Sequence, residues 1–344
     1  MINYTIIIPH HNGEEILSQC IESIYISADY KPEIIIVNNA STDGSIETIK
    51  TKFSNIIVVD SQKNLGYAGG CNLGALEATN DYLIFLNNDT ILEKSFDKYL
   101  LNKLQNKEIS SVQPKIKNLP NKDYFDYAGA SGGFLDVFCY PFCRGRIFNN
   151  IEKDLKQYDS EKEIFWASGA AFATKKDIFI KAGMFDIKLF AHMEEIDYHW
   201  RCQMMGYKIM INPKSIVYHQ GGGTLSYESH KKTYLNHRNS LIIFLSNHKI
   251  HILFLLLVPR IILQLGSIFL DLLSIKLGHA IAQLQALLWI PFNIFYIIKK
   301  SIQNRSIQIN NYNLKGMYFR SIAIDYFLLK KKKFINLKNV VQDF

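Results

Sequence analysis

Four places in this 344-residue chain put polar side chains where they could do chemistry. Asp89, in Asn87-Asn88-Asp89, directly follows the apolar run Tyr82 to Leu86, so a carboxylate stands at the carboxyl end of a buried strand. There it could hold an oxygen-seeking cation, Mg²⁺ or Mn²⁺, against a phosphate. The same residue would equally cap a helix opening at Thr90-Ile91-Leu92-Glu93, and spacing alone does not separate the two roles. Glu194, Glu195 and Asp197 put three acids within four residues, on a segment from Phe190 to Gly206 whose spacing predicts a helix stopped by Gly206. On that helix Asp197 reaches Arg201 at i+4, while Phe190, Met193, Ile196 and Trp200 make the segment amphipathic. The acids are therefore expected at a cleft edge, where a positioned carboxylate can take a proton from an attacking hydroxyl. Helical neighbours lie about 100° apart, so only one of Glu194 and Glu195 is expected to face the cleft.

The other two places are weaker signals. Asn64 to Gly74 is a glycine-rich junction suited to close approach by a ligand or by another strand. It holds neither G-x-G-x-x-G nor a Walker lysine, which argues against nicotinamide and nucleoside-triphosphate enzymes. His219, in Tyr218-His219-Gln220-Gly221-Gly222-Gly223, reads first as a loop histidine, although the glycines beside it permit the tight approach a metal site needs.

These groups need a frame. Apolar runs Thr5 to Ile8, Ile34 to Val37, Ile56 to Val59 and Tyr82 to Leu86 alternate with helical patterns near Glu14 to Ser27, from Gly44, and near Ala68 to Ala78. That rhythm predicts an α/β fold with a mainly parallel, doubly wound sheet buried on both faces. Ligands of such sheets bind at the carboxyl ends of the strands, where Pro9 to Asn12, Asn38 to Asp43 and Asn87 to Asp89 converge.

After Tyr234 the composition shifts to two apolar stretches, Ile252 to Ile275 and Ala280 to Ile298. The first is long enough to cross a bilayer, but Arg260 and Asp271 would each cost roughly 2.5 to 3.5 kcal/mol near its centre. The second is interrupted by Gln283, Gln285 and Pro291. In-plane or re-entrant helices are expected, with a lipid-borne acceptor as their functional sense. The net charge of +8 includes Lys299-Lys300 and Lys330 to Lys333 at the ends of apolar stretches, which suits an anionic membrane surface and not a nucleic acid. Five cysteines, without a C-x-x-C pair, indicate neither a disulfide framework nor a zinc site. Met1 runs into the first strand without a secretory pattern, so the catalytic part is expected on the cytoplasmic face of the inner membrane, peripheral or monotopic.

Together, Pro9 to Asn12, Val37 to Ser45, Asn64 to Gly74, Leu86 to Thr90, Gly183 to Asp186, Glu194 to Tyr198, Trp200-Arg201 and Gly206-Tyr207 strongly resemble family 2 inverting glycosyltransferases. Within these the chain is similar to the rhamnosyltransferase-like branch of bacterial surface-polysaccharide enzymes. The resemblance covers about residues 3 to 245. It implies the glycosyltransferase A type fold, with a catalytic domain over 1–245 (a nucleotide-binding half 1–90, an acceptor half 91–245) and a membrane-associated helical region with a basic tail over 246–344. By resemblance Pro9, Asn12, Asn38, Asn64, Gly66, Asn72 and Asn87 belong to the nucleotide-binding set, Asp89 and His219 to the metal site, and Glu195 to the catalytic base. Trp166, Ser168, Gly169, Glu194, Asp197 and Arg201 would shape the sugar and acceptor pocket.

The family pattern is not matched everywhere. Asn38 stands where many relatives have an aspartate on the nucleobase, Asn87 replaces the first acid of D-x-D, and Glu195 replaces the usual Asp. No Q-x-x-R-W motif is present, which implies single transfer and not polymerisation. The implied partners are a nucleotide-sugar donor, a lipid-linked saccharide acceptor and a membrane surface. A sugar-phosphate nucleotidyltransferase would need a glycine- and arginine-rich loop after the first strand, and Pro9-His10-His11-Asn12-Gly13 is not one. A catalytically silent scaffold is opposed by the presence of both Asp89 and Glu195.

Overall fold

The computed structural model describes residues 2–221, 229–310 and 312–337; Gly222 and Gly223 of the glycine run lie outside them. The alternation expected of the first ninety residues is present as β1 (Tyr4–His10), α1 (Glu14–Ser27), β2 (Glu33–Asn39), α2 (Ser45–Lys52), β3 (Ile56–Ser61), α3 (Gly66–Glu77) and β4 (Tyr82–Leu86). The four strands pair in parallel in the order β3-β2-β1-β4. Successive side chains of a strand face opposite sides, and the isoleucines obey this: Ile7 and Ile35 enter one core layer, Ile6, Ile8, Ile34 and Ile36 the other. Both faces are buried, so the strands read as continuous apolar runs.

Beyond Leu86 the chain departs from simple alternation. Thr90 opens no helix: β5 (Thr90–Leu92) is a short strand, so Asp89 is not an N-cap. α4 (Phe96–Leu104) and β6 (Ile109–Asn118) follow, then the short strands β7 (Gly133–Asp136), β8 (Pro141–Cys143), β9 (Arg146–Ile147), β10 (Asn150–Ile151) and β11 (Lys162–Glu163). β12 (Ala171–Lys175), α5 (Lys176–Lys181), α6 (Glu194–Met204) and β13 (Lys208–His219) complete the catalytic part. The main sheet has nine strands in the order β11-β13-β6-β12-β4-β1-β2-β3, with β5 on β13. β12 runs antiparallel to both β4 and β6, so the sheet is parallel in its first half and mixed in its second. A second sheet joins β7 to β10 with β14 (Met317–Tyr318). All five cysteines are free and buried.

Four helices follow: α7 (His230–Asn247), α8 (Ile250–Leu273), α9 (Leu277–Phe292) and α10 (Ile294–Ser306). α7 runs through the boundary expected at 245/246 and packs against α6 on one side and α9 and α10 on the other. The second apolar stretch is not one helix, because α9 and α10 meet at 74° just after Pro291. α8 has a mean hydropathy of 2.2 and 24 residues, roughly 36 Å at ~1.5 Å per residue. Its polar groups turn inward. Arg260 Nη1 donates to Tyr140 Oη at 2.7 Å and Gln264 Oε1 at 3.0 Å, and its Nη2 to Ser240 Oγ at 3.2 Å. Gln264 Nε2 donates to Gln283 Oε1 at 2.8 Å, and Gln283 Nε2 to Asp271 Oδ2 at 2.6 Å. The outward face carries Phe254, Leu255, Ile262 and Phe269, with Phe254 74% exposed. Polar inside and apolar outside is the reverse of a helix that faces water.

Candidate active site

β5 is what brings the expected metal residues together. It pairs antiparallel with the end of β13, placing Thr90 opposite His219, and Gln220 N donates to Asp89 O at 2.9 Å. Asp89 Oδ1 then lies 3.1 Å from His219 Nε2, an ion-pair contact, and Asn87 Nδ2 lies 3.2 Å from the same nitrogen. On its other side His219 Nδ1 meets Asp126 Oδ1 at 2.9 Å. Burial opposes a charge on this imidazole, but the hydrogen bond to Asp126 and the pairing with Asp89 outweigh it and lift His219 to about 10. Burial likewise pushes Asp89 up, and His219 more than reverses that, so its carboxyl titrates below the usual range.

Asp126 does to His219 what a carboxylate does to a metal-binding histidine: it holds the ring in orientation and leaves Nε2 facing the ligand position. Asp89 Oδ1 is buried and makes no hydrogen bond of its own. Among the described residues no group of three or more His, Cys, Asp or Glu side chains is placed to hold an ion alone. Two protein donors, one carboxylate and one imidazole, fit Mg²⁺ or Mn²⁺ whose remaining positions go to phosphate oxygens and water, and do not fit a closed structural site.

Glu195 sits in the first turn of α6, behind His192 and Met193, both in left-handed conformation with φ of 68° and 74°. Two such residues in sequence are strained without glycine and fix where the helix starts. Burial pushes the Glu195 carboxyl up to about 7, and the backbone N–H groups of Glu195, Ile196, Gly169 and Met193 pull it back only in part. Its Oε2 is buried without a partner, and so is Oε2 of Glu194, whose carboxyl is pushed well up by burial and then by Glu195. Both acids lie near enough to raise the Tyr67 hydroxyl and the Cys71 thiol further, beyond the larger effect of burial. The Gly169-Ala170 turn joins Glu195 to the Asn87-Asp89 edge: the Gly169 N–H faces Glu195, and Asn87 N donates to Ala170 O at 3.0 Å.

The nucleotide-side loops meet at the ends of β1, β2 and β3. His10, Asn38 and Asp60 are adjacent in register, and Asn38 Nδ2 donates to Asp60 Oδ1 at 2.8 Å. Pro9 sits beside them, partly exposed, next to Gly70 of α3. Asn12 is exposed and its Oδ1 accepts from Thr42 N at 2.8 Å, tying the β1 loop to the β2 loop. Asn64, also exposed, accepts from Gly66 N at 2.8 Å and opens α3. The glycines of α3 serve packing: a Cβ on Gly66, with φ of 71°, would stand 2.3 Å from Phe190 O, and one on Gly74 2.4 Å from Ile7 Cγ2.

Six expected pocket or nucleotide residues have other work. Asn72 clamps the backbone of Phe185, donating to its O at 2.8 Å and accepting from its N at 3.0 Å, so its amide is spent on the protein. Asn87 belongs to the metal cluster through His219. Trp166 is buried and donates Nε1 to Phe134 O at 2.9 Å, and its ring fills the space a Cβ on Gly133 would take. Ser168 accepts nothing from a cleft: its hydroxyl donates to Ala128 O at 2.8 Å and its N to Gln113 Oε1 at 2.9 Å. Asp197 is fully buried, accepting from Arg201 Nη2 at 3.0 Å, Lys300 Nζ at 2.8 Å and Asn247 Nδ2 at 3.0 Å, while Arg201 Nη2 also donates to Met184 O at 2.7 Å. Of the expected pocket set, Gly169 and Glu194 remain beside the base.

The Asp197 network ties α6 to α10. Burial pushes its carboxyl up, but the charges of Lys300 and then Arg201, with the Lys300 and Asn247 hydrogen bonds, bring it to about 2. A folded value below the unfolded one, about 3.9, contributes stability that is present above pH ~4 and is lost as pH falls toward 2. Asp197→Ala leaves two buried cations without this partner and is expected to cost about 3–5 kcal/mol, read as a lowered denaturation midpoint. A midpoint like the parent's would show that α10 does not depend on α6.

Residues 5–181, just over half of the chain, match the family described as Glycosyl transferase family 2. The chain belongs to that family. Poly-beta-1,6-N-acetyl-D-glucosamine synthase of Staphylococcus aureus (strain COL) is 24% identical over 216 residues, which are 62% of this chain and 49% of that protein. The chain thus spans about half the length of the curated relatives it matches. Glycosyltransferase GlyA of Streptococcus pneumoniae serotype 4 is 30% identical over 102 residues, 29% of this chain and 15% of that one. Among solved structures, GalNAc-T7 with UDP, GalNAc and Mn²⁺ aligns at a TM-score of 0.57 and 16% identity, covering 71% of this chain and 47% of that chain. The mannosyltransferase PcManGT from Pyrobaculum calidifontis, in complex with GDP-Man and Mn²⁺, aligns at 0.50 and 14%, covering 88% and 86%. The fold is the glycosyltransferase A type.

Three residues at this family 2 site carry no signal in the sequence motifs. Asp126 comes from the loop after β6, Asp60 closes β3 beside Asn38, and the buried His192 Nε2 has no hydrogen-bond partner. Asp60 is legible only once β2 and β3 are set in register, and Asp126 has no local pattern at all.

Proposed function

We propose that this chain transfers a sugar from a nucleotide-sugar to a hydroxyl of a lipid-linked glycan, with inversion, in bacterial surface-polysaccharide synthesis at the cytoplasmic face of the inner membrane. Rhamnose is the sugar the sequence resemblance favours. The observation that carries the reading is the arrangement on the Gly169-Ala170 turn of two buried acids, Glu195 beside Gly169 with its Oε2 unpartnered, and Asp89 beyond Asn87 paired with His219. One acid suits a proton, the other a cation.

The nucleoside would lie over the ends of β1 to β3, held by Pro9, Asn12, Asn38 and Asn64. Asp60, accepting from Asn38, returns to that edge the carboxylate many relatives carry in place of Asn38. Asp89 and His219 Nε2, which would give up its proton as the ion binds, would hold the Mg²⁺ or Mn²⁺, and the ion would supply positive charge for the departing diphosphate. Glu195 takes the proton of the acceptor hydroxyl. The freed oxygen bonds to the anomeric carbon as the bond from that carbon to the diphosphate oxygen breaks on the opposite face, which inverts the centre. The outward apolar faces of α8 to α10 support a membrane-surface location, with Phe292 and Phe295 each 85% exposed, Lys276 at the start of α9 and Lys299 within α10.

The base must be ionised to work. With Glu195 at about 7, kcat/KM should rise with pH through a single ionisation near 7 and level off above it, and Glu195→Gln should flatten the profile. A parental rate that stays level well below pH 7 would exclude this carboxyl as the titrating base.

The test of the reading as a whole is a thermal-shift screen of nucleotide-sugars with Mn²⁺. A donor at a hundred times its Kd should stabilise the fold by about 2.7 kcal/mol, and only when the metal is present. Failure of every uridine, thymidine and guanosine diphosphate sugar to shift the melting temperature would overturn it.

A further inference from the structure

We propose that the groove between α7 and α9 seats the lipid of the acceptor: a hydrocarbon chain along its apolar lining, and the phosphate that joins chain to sugar beside Lys231. This rests on the glycosyl-transfer reading above and adds the place where the acceptor is held.

The groove is open to the surface, with a volume of ≈ 470 Å³, in the range of small-molecule sites. Tyr234, Leu288, Trp289 and Phe292 line it together with the polar Gln285 and Asn293, and His230 and Lys231 line it from the first turn of α7. Leu288 and Phe292 are 62% and 85% exposed, so the groove opens on the same outward face as the rest of α9 and α10. A chain leaving the groove there meets apolar surface, not water. An apolar lining beside a lysine is the complement of an anionic amphiphile, and a free sugar does not use both.

The Lys231 side of the groove lies against the loop that leads to the base. Lys231 Nζ stands 4.8 Å from the ring centroid of Phe190. Arg238, stacked on the rings of Tyr234 and Trp289 at 5.2 Å and 5.3 Å, donates to Lys188 O at 2.8 Å and Leu189 O at 3.2 Å. Asn239 Nδ2 donates to Ala191 O at 3.1 Å and His192 O at 2.7 Å. The groove wall and the loop are one hydrogen-bonded unit, and the loop ends at Glu195. His192 Nε2, buried and unpartnered between them, is a donor or acceptor awaiting a polar ligand. The nucleotide has its own place at the ends of β1 to β3, so donor and lipid approach the base from different sides.

Tryptophan fluorescence can read occupancy. Of the chain's three tryptophans, Trp166 and Trp200 are buried in the core and Trp289 lines the groove. The full chain in zwitterionic nanodiscs is titrated with farnesyl phosphate, farnesol and inorganic phosphate. Farnesyl phosphate should give a saturable change that Trp289→Phe removes, farnesol should bind roughly 10-fold more weakly, and inorganic phosphate should give none. Lys231→Glu should weaken farnesyl phosphate by about 10-fold and leave farnesol unchanged, whereas Leu288→Asn should weaken both alike. Melting temperatures near the parent's certify each variant as folded. Equal binding of farnesyl phosphate and farnesol, indifference to Lys231→Glu in a folded variant, or a signal that persists in Trp289→Phe would each overturn the site. Nucleotide and Mn²⁺ stabilisation is measured on the same samples: its absence beside intact farnesyl phosphate binding would sink glycosyl transfer and leave the lipid groove standing.

Discussion

Glu195→Gln is expected to lower sugar transfer by at least ~10²-fold while donor affinity changes little. The substitution keeps the shape of the side chain and removes its ability to accept a proton. Three acids compete for the role, and their surroundings separate them. Asp197 accepts from Lys300, Arg201 and Asn247, and this cationic company holds its carboxyl at about 2, too weak a base for an alcohol. Glu194 is the more deeply buried of the remaining two and is pushed well up by burial and by its neighbour, so its surroundings favour the protonated form. Two adjacent carboxyls that cannot both ionise divide the work, one carrying the charge and the other the proton. Glu194→Gln should therefore cost less than Glu195→Gln. The reverse order of losses would move the base to Glu194.

Asp89→Asn is expected to abolish metal-dependent nucleotide binding and to lower transfer by at least ~10³-fold, since several kcal/mol of charge stabilisation on the departing diphosphate are lost. Asp89 supplies the sole carboxylate of Asn87-Asn88-Asp89 at this edge, and the contact the substitution weakens is its pairing with His219 Nε2 at 3.1 Å. His219 keeps Asp126 on Nδ1, so the variant should fold and melt near the parent. Stabilisation by nucleotide and Mn²⁺ that survives Asp89→Asn would remove Asp89 from the site. Asp126→Asn is a useful companion, because it reaches the metal position through His219 and should weaken metal affinity about 10–100-fold without removing it.

How much of this is legible in the sequence depends on the range of the interaction that decides each feature. β1 to β4 and α1 to α3 follow from local periodicity, and the structure reproduces them within a few residues. The role of Asp89 does not. Thr90-Ile91-Leu92-Glu93 has no local reason to avoid a helix, and it becomes a strand because β13, more than a hundred residues later, offers Val217 to His219 as partners. The same pairing makes His219 more than a loop histidine. Asn72 and Trp166 show the opposite error, in which a motif position is matched but the side chain turns to hold the backbone of Phe185 or Phe134. Such motif residues maintain the frame of a site as well as its contacts. In the last third, Arg260 and Asp271 argue from sequence against a full span of the bilayer, yet the fold points both into a polar seam with Gln264 and Gln283 and leaves the apolar residues outside. Charge placement relative to the packed face is what composition cannot show.

The most direct test of metal-assisted sugar transfer at this site is the release of nucleoside diphosphate from a panel of nucleotide-sugars incubated with the full chain and Mn²⁺. At least one donor should be turned over, release should stop when the metal is chelated, and both Asp89→Asn and Glu195→Gln should suppress it in folded protein. Turnover of no donor, or turnover indifferent to chelation and to both substitutions, would contradict it.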